Sequence, residues 1–117
     1  MRSDRLTVER EGVLTLPAEV CAAARLRPGD ILSIQPSAES FVLEIYRDLL
    51  DGALEHMDDQ ALLGFAIRFL SRPLTTLEPG GHLRIPAEVF PLPAGCELLL
   101  FVDQTATGRW MQVFREA

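Results

Sequence analysis

Val13-Leu14-Thr15-Leu16-Pro17-Ala18-Glu19-Val20 returns 69 residues later as His82-Leu83-Arg84-Ile85-Pro86-Ala87-Glu88-Val89. The match extends outward on both sides. Upstream, Glu9 falls on Glu78 and Gly12 on Gly81 at the same shift. Downstream, Leu26-Arg27-Pro28-Gly29-Asp30 falls on Leu92-Pro93-Ala94-Gly95-Cys96, now at a shift of 66, so the second copy has lost three residues between its Pro and its Gly. A fixed period of this kind marks an internal repeat, and it decides how every other segment is read.

Each copy spells the same elements. Leu6 and Val8, then Leu14 and Leu16, alternate with polar residues, as half-buried strands do. Glu11-Gly12 turns between them, as Pro79-Gly80-Gly81 does in the second copy. Pro17 suits the first position of a helix, Glu19 suits its positive end, and a short helix is expected over 18–24. Pro28-Gly29 ends it and opens a strand at Ile31-Leu32-Ser33-Ile34, which turns at 36–40 into Phe41-Val42-Leu43-Glu44-Ile45-Tyr46. In the second copy Pro91 and Pro93 leave room for barely one helical turn. Strands follow over 97–102 and 110–114, where Trp110 and Phe114 read as a core face rather than a stacking platform.

Between the copies, Leu62, Phe65, Ala66, Phe69 and Leu70 keep helical spacing. Asp58 or Asp59 can cap that helix and Pro73 ends it. Leu49, Leu50, Ala53, Leu54 and Met57 predict a shorter helix before it. The expected organisation is a first repeat over 1–46, a helical connector over 47–73 and a second repeat over 74–117, forming one intertwined domain.

A ββαββ unit of this size is marginal as a core and leaves strand edges bare. Two such units solve both problems by interleaving their hairpins. The expected fold is therefore α+β, mainly β: a closed, pseudo-twofold swapped-hairpin barrel from two ββαββ repeats with a central helical hairpin.

The chain has 117 residues, is 48% hydrophobic and carries a net charge of −6; all eleven basic residues are Arg. The three segments carry −2 each, so none is basic overall. The sequence has no apolar run near the roughly 20 residues that cross a bilayer. Met1-Arg2-Ser3-Asp4-Arg5 runs directly into alternation rather than into an apolar leader, which points to a cytoplasmic protein. Cys21 and Cys96 read as buried free thiols, since a secreted disulfide framework would use more cysteines.

Gly12-Val13-Leu14-Thr15-Leu16-Pro17-Ala18-Glu19-Val20 followed by Leu26-Arg27-Pro28-Gly29-Asp30-Ile31-Leu32 resembles the SpoVT/AbrB domain. In that family an apolar hairpin ends in Pro, a short helix follows, and a Gly-Asp pair starts the next strand. Two copies around a helical connector, with Ala61-Leu62-Leu63-Gly64 leading to the second, are similar to MraZ proteins. The resemblance covers nearly the whole chain. It implies a non-enzymatic transcriptional regulator that binds double-stranded DNA as a homo-oligomer. MraZ hairpins carry Asp-x-x-x-Arg; the matching positions here are Glu9 with Val13 and Glu78 with His82.

DNA binding requires cations on the outer face of the paired hairpins. Arg5, Arg10, Arg25, Arg27 and Arg84, with His82 in place of an arginine, are the candidate set, and Arg2 lies nearby. The competing view pairs these arginines with Asp4, Glu9 and Glu11 as ordinary surface charge. It makes the chain an acidic oligomerisation or protein-interaction module that does not bind DNA. Glu55-His56-Met57-Asp58-Asp59 lacks diagnostic metal-ligand spacing. The sequence has no Gly-rich phosphate loop and no nucleophile–base pairing, and Cys21 has no His nearby. No cofactor, metal or small-molecule substrate is indicated.

Overall fold

Strand alternation is what divides this chain into inside and outside. The computed structural model describes residues 2–48, 54–55, 57–105 and 108–116. The elements are β1 (Arg2–Thr7), β2 (Val13–Thr15), α1 (Ala18–Ala23), β3 (Ile31–Pro36), β4 (Ser40–Ile45), α2 (Asp59–Leu70), β5 (Leu74–Thr76), β6 (His82–Arg84), β7 (Glu97–Thr105) and β8 (Gly108–Arg115). The protein is mainly β, with antiparallel strands and a minor helical part. Residues 49–53 and 56, which carry most of the expected first connector helix and His56, lie outside the described residues.

Six strands form one sheet in the order β1-β7-β8-β4-β3-β5, and β2 pairs with β6 as a separate ribbon. β7 and β8 of the second copy lie between β1 and β4 of the first; β3 of the first lies between β4 and β5. The ladder does not close. β1 and β5 end the sheet, so the expected closed barrel is not seen among the described residues. Short runs explain this. β5 and β6 have three residues each, and between them Leu77 leaves the ladder to exchange bonds with 29–30: Gly29 N–H to the Leu77 carbonyl at 2.7 Å, Leu77 N–H to Asp30 at 2.8 Å.

The registers locate a pseudo-twofold axis. In the ribbon Leu14 pairs with Leu83, its own repeat equivalent at a shift of 69. In the sheet Val42 pairs with Gln112, and the β3–β4 and β7–β8 registers make these equivalent at a shift of 70. A residue can face its own equivalent only on a twofold axis, so the axis runs through both pairs. Hydrogen bonds repeat across it: Leu16 N–H to Gly81 at 2.8 Å mirrors Ile85 N–H to Gly12 at 2.9 Å, and Gly95 N–H to Val8 at 2.7 Å mirrors Gly29 to Leu77.

One face of the sheet, the inner face of the ribbon and Val20 of α1 make a single core. Leu14, Leu16, Leu32, Ile34, Phe41, Leu43, Leu83, Leu98 and Leu100 are all buried in it. Each such side chain contributes about 1.5–3 kcal/mol of transfer free energy. In β8 the buried residues are Met111 and Val113, not Trp110 and Phe114, which are half-buried. Phe114 instead packs edge-on to Phe101, with ring centroids 5.7 Å apart. The expected core face of this strand is therefore reversed. Four of its five residues over 110–114 are apolar, so alternation alone did not fix the parity, and pairing with β4 does.

Local signals account for the helices. Pro17 is the N-cap of α1, with φ −59 and ψ 154, one position earlier than expected. The helix stops because Arg25 takes φ 54, a left-handed role usually left to glycine. Asp58 caps α2, its Oδ1 accepting the Ala61 N–H at 2.8 Å. Leu62, Phe65 and Ala66 are half-buried, while Leu63 and Ile67 are each 62% exposed.

Candidate nucleic-acid interface

The β2–β6 ribbon is a two-stranded surface element whose sides have different chemistry. Leu14 and Leu83 point into the core, so the residues before and after them point away from it. The outer side therefore has two cross-strand rows. One is Arg84 opposite Val13, which is itself buried at 6% exposure, and an isolated bridge adds the exposed Arg10 beyond Val13. The other is Thr15 opposite His82, with Glu78 bridged to His82.

Thr15 Oγ1 and His82 Nδ1 are hydrogen-bonded at 3.0 Å. This fixes the imidazole across the ribbon, and a Cβ on Gly80 would lie 3.1 Å from its Nε2. Arg84 Nε lies 3.6 Å from Glu78 Oε1, with side chains 72% and 48% exposed. An ion pair this open to water is worth about 0–1 kcal/mol, so a phosphate could displace the carboxylate. Arg10 is exposed and makes no ion pair among the described residues.

The six candidate residues do not form one patch. Arg10, His82 and Arg84 share the ribbon. Arg5 stands on β1, at the edge of the sheet, 80% exposed and 3.8 Å from Glu116. Arg25 and Arg27 lie just beyond α1 and line an open cleft together with Arg47. Arg47 is 3.6 Å from Asp30. The partners expected for the arginines, Asp4, Glu9 and Glu11, are not those of Arg5 and Arg84, which pair with Glu116 and Glu78.

Thr15 and Arg47 were not among the sequence candidates. Thr15 could have been found by carrying the repeat through, since it is the equivalent of Arg84. Arg47 has no such signal, because it follows β4 and is brought to α1 only by the fold.

Both cysteines are free and half-buried rather than fully buried. Desolvation pushes the Cys21 thiol above the ordinary thiol range. Among the described residues no group of three or more His, Cys, Asp or Glu could hold a metal ion, and no helix is long and apolar enough to cross a membrane. Comparison with protein-family models, with curated proteins and with solved structures finds no match to this chain.

Proposed function

We propose that this chain is a DNA-binding transcriptional regulator of the SpoVT/AbrB, MraZ-like type, a pseudo-twofold swapped-hairpin protein that presents its β2–β6 ribbon to the duplex. One observation carries the reading: a two-stranded antiparallel ribbon sits on the pseudo-twofold axis with Arg10, Arg84, His82 and Thr15 on its outer side. The major groove of B-DNA is about 12 Å wide and admits such a ribbon. Arginine matches the guanine edge, while the Thr15–His82 pair offers one outward donor, the imidazole Nε2–H or the threonine O–H according to which of them donates in their mutual bond.

Two arginines give weak affinity in a single copy. Each phosphate neutralised adds about 0.9 to the salt slope, so Arg10 and Arg84 supply about 1.8 per chain. Useful affinity then depends on several copies acting together, which matches a homo-oligomer.

The test is fluorescence anisotropy of a mixed-sequence duplex with the full chain, between about 50 mM and about 200 mM salt. Binding at low salt that weakens steeply with salt is expected. Arg10→Ala with Arg84→Ala should lower affinity and flatten the slope by about 2 per chain engaged, with folding unchanged. An unchanged slope would remove the ribbon as the reading surface.

A second reading, the acidic interaction module that binds no DNA, is favoured by the exposed Leu63 and Ile67 on α2, one helical turn apart. Absence of duplex binding at low salt, with the oligomer intact, would select it.

A further inference from the structure

The two halves differ at a place the pseudo-twofold axis would make alike. Gly12 N–H donates to the Leu92 carbonyl at 2.9 Å and so ties the first hairpin turn to the segment after Pro86. Its equivalent, Gly81, donates instead to Glu78 within its own turn at 3.1 Å. The cause is in the sequence. The first copy has three more residues between its Pro and its Gly, and it forms the helix α1 there. The Glu78–Gly81 turn stands off from that helix, and a half-open cavity of about 450 Å³ lies between them.

The cavity walls are aliphatic, from Leu16, Leu26, Pro28 and Leu77, with Ala18 and Ala22 of α1. Position 21 is a cysteine where the second copy has Phe90, so no ring is present to fill the space. Glu78 is at the rim, with its charge opposed by Arg84 at 3.6 Å.

A second cleft, of about 560 Å³, adjoins the first. Both are lined by Cys21 and Ala22 of α1 and by Leu26 just after it, so they share that part of their lining. Here the lining turns cationic, with Arg25, Arg27 and Arg47 beside Asp48. Arg47 pairs with Asp30 at 3.6 Å, and Arg25 and Asp48 are also engaged. Arg27 makes no ion pair among the described residues, although its backbone N–H donates to Asp30 at 2.9 Å. Three guanidinium groups face two carboxylates, a local excess of positive charge in a chain of net charge −6.

We infer that the two neighbouring clefts together bind a small amphipathic anion, its apolar body under the Glu78–Gly81 turn and its carboxylate or phosphate head among Arg25, Arg27 and Arg47. Cavities of about 300–1,000 Å³ with apolar walls and a few polar groups at one end are the usual form of small-molecule sites. A cationic head would face the arginines and be rejected.

Isothermal titration of the full chain with octanoate, octyl phosphate and octylammonium tests this. Both anions should bind saturably, one per chain, and the tighter one identifies the head group the arginines prefer. Octylammonium should bind at least about tenfold more weakly. Ala22→Phe, at an exposed helix position, should abolish anion binding by filling the space. Arg25→Asn with Arg27→Gln should weaken it at least about tenfold while leaving thermal unfolding unchanged, because Asn tolerates the left-handed backbone at 25. No saturable binding of either anion would overturn the inference. So would octylammonium binding as tightly as octanoate, or retention of wild-type affinity by the Arg25/Arg27 variant.

Discussion

Gly12 and Gly81 are repeat equivalents with different surroundings, so they form an internal control. Both have positive φ, +73 and +83. An alanine at either position has to occupy the left-handed region, which costs about 1–2 kcal/mol. At Gly12 that is nearly the whole cost, because a Cβ there would lie 3.5 Å from the Ile85 carbonyl oxygen, in ordinary contact. At Gly81 a Cβ would run into the Leu16 carbonyl oxygen. That carbonyl belongs to a fully buried residue whose own N–H donates to Gly81 at 2.8 Å. Relieving the clash moves the partner away and weakens a bond whose loss in a buried site costs about 1–3 kcal/mol. Gly81→Ala should therefore cost about 3 kcal/mol against about 1.5 for Gly12→Ala. With a urea dependence of about 1.5 kcal/mol per molar, the midpoints should fall by about 2 M and about 1 M. Equilibrium urea unfolding followed by far-ultraviolet circular dichroism reads both. Equal shifts, or a larger one at Gly12, would refute the packing of the second hairpin turn on Leu16.

Phe90 contacts Phe41 with ring centroids 4.9 Å apart, and the Arg115 guanidinium lies 4.7 Å above its ring. Phe90→Ala should cost about 3–5 kcal/mol, whereas Cys21→Ala at the equivalent position should cost far less; thermal unfolding compares them directly. Asp58→Ala removes the α2 cap and should lower stability by about 1 kcal/mol, seen as a lower urea midpoint; an unchanged midpoint would mean that α2 does not unfold together with the core. Burial raises the Cys21 thiol above its unfolded value, so its contribution is present at neutral pH and is lost as pH rises through the ordinary thiol range toward the raised one. In a Cys96→Ser background, iodoacetamide should therefore modify residue 21 with a rate that keeps climbing above the pH at which a free thiol levels off; a plateau at the free-thiol pH would contradict this.

The repeat made most of the fold legible, because a shift measured in the sequence states which strands are equivalent. Strand starts at Ile31 and Glu97, the short helix after Pro17 and the near-absence of a helix after Pro86 were all readable from it. Closure of the sheet was not readable. It depends on whether three-residue strands such as β5 reach the next edge, and composition does not fix that length. Nor were the charge partners. Arg5 pairs with Glu116 near the other end of the chain, and Arg47 meets Asp30 only after β3 and β4 have folded back. The end of α1 was readable to within one residue, 18–24 against Ala18–Ala23, but the left-handed Arg25 that stops it was not, because Gly29 offered a better-looking stop. Of the candidate site, the ribbon residues were found by aligning the hairpins, but their division from Arg5 and from Arg25 with Arg27 is a property of three-dimensional placement.

A pseudo-twofold backbone need not carry twofold chemistry, and here it does not. The axis places Val13 where the other strand has His82, and Thr15 where it has Arg84. The hairpin ahead of β2 brings Arg10 beside Val13, while the one ahead of β6 brings Glu78 beside His82. One row thus holds Arg10 with Arg84, the latter paired across to Glu78, and the other holds Thr15 with the His82 imidazole. The same divergence appears behind the ribbon, where one hairpin turn is tied down at Leu92 and the other stands away from α1. A symmetric dimer of identical half-chains could not vary these positions independently, since any change would appear on both sides of the axis. Fusing the halves into one chain removes that constraint. It allows the core residues Leu14 and Leu83 to stay matched while the outer rows become directional. If the ribbon is the proposed reading surface, its outer rows call for a target without twofold symmetry, and an operator series comparing a palindrome with its half-site would show no gain for the palindrome.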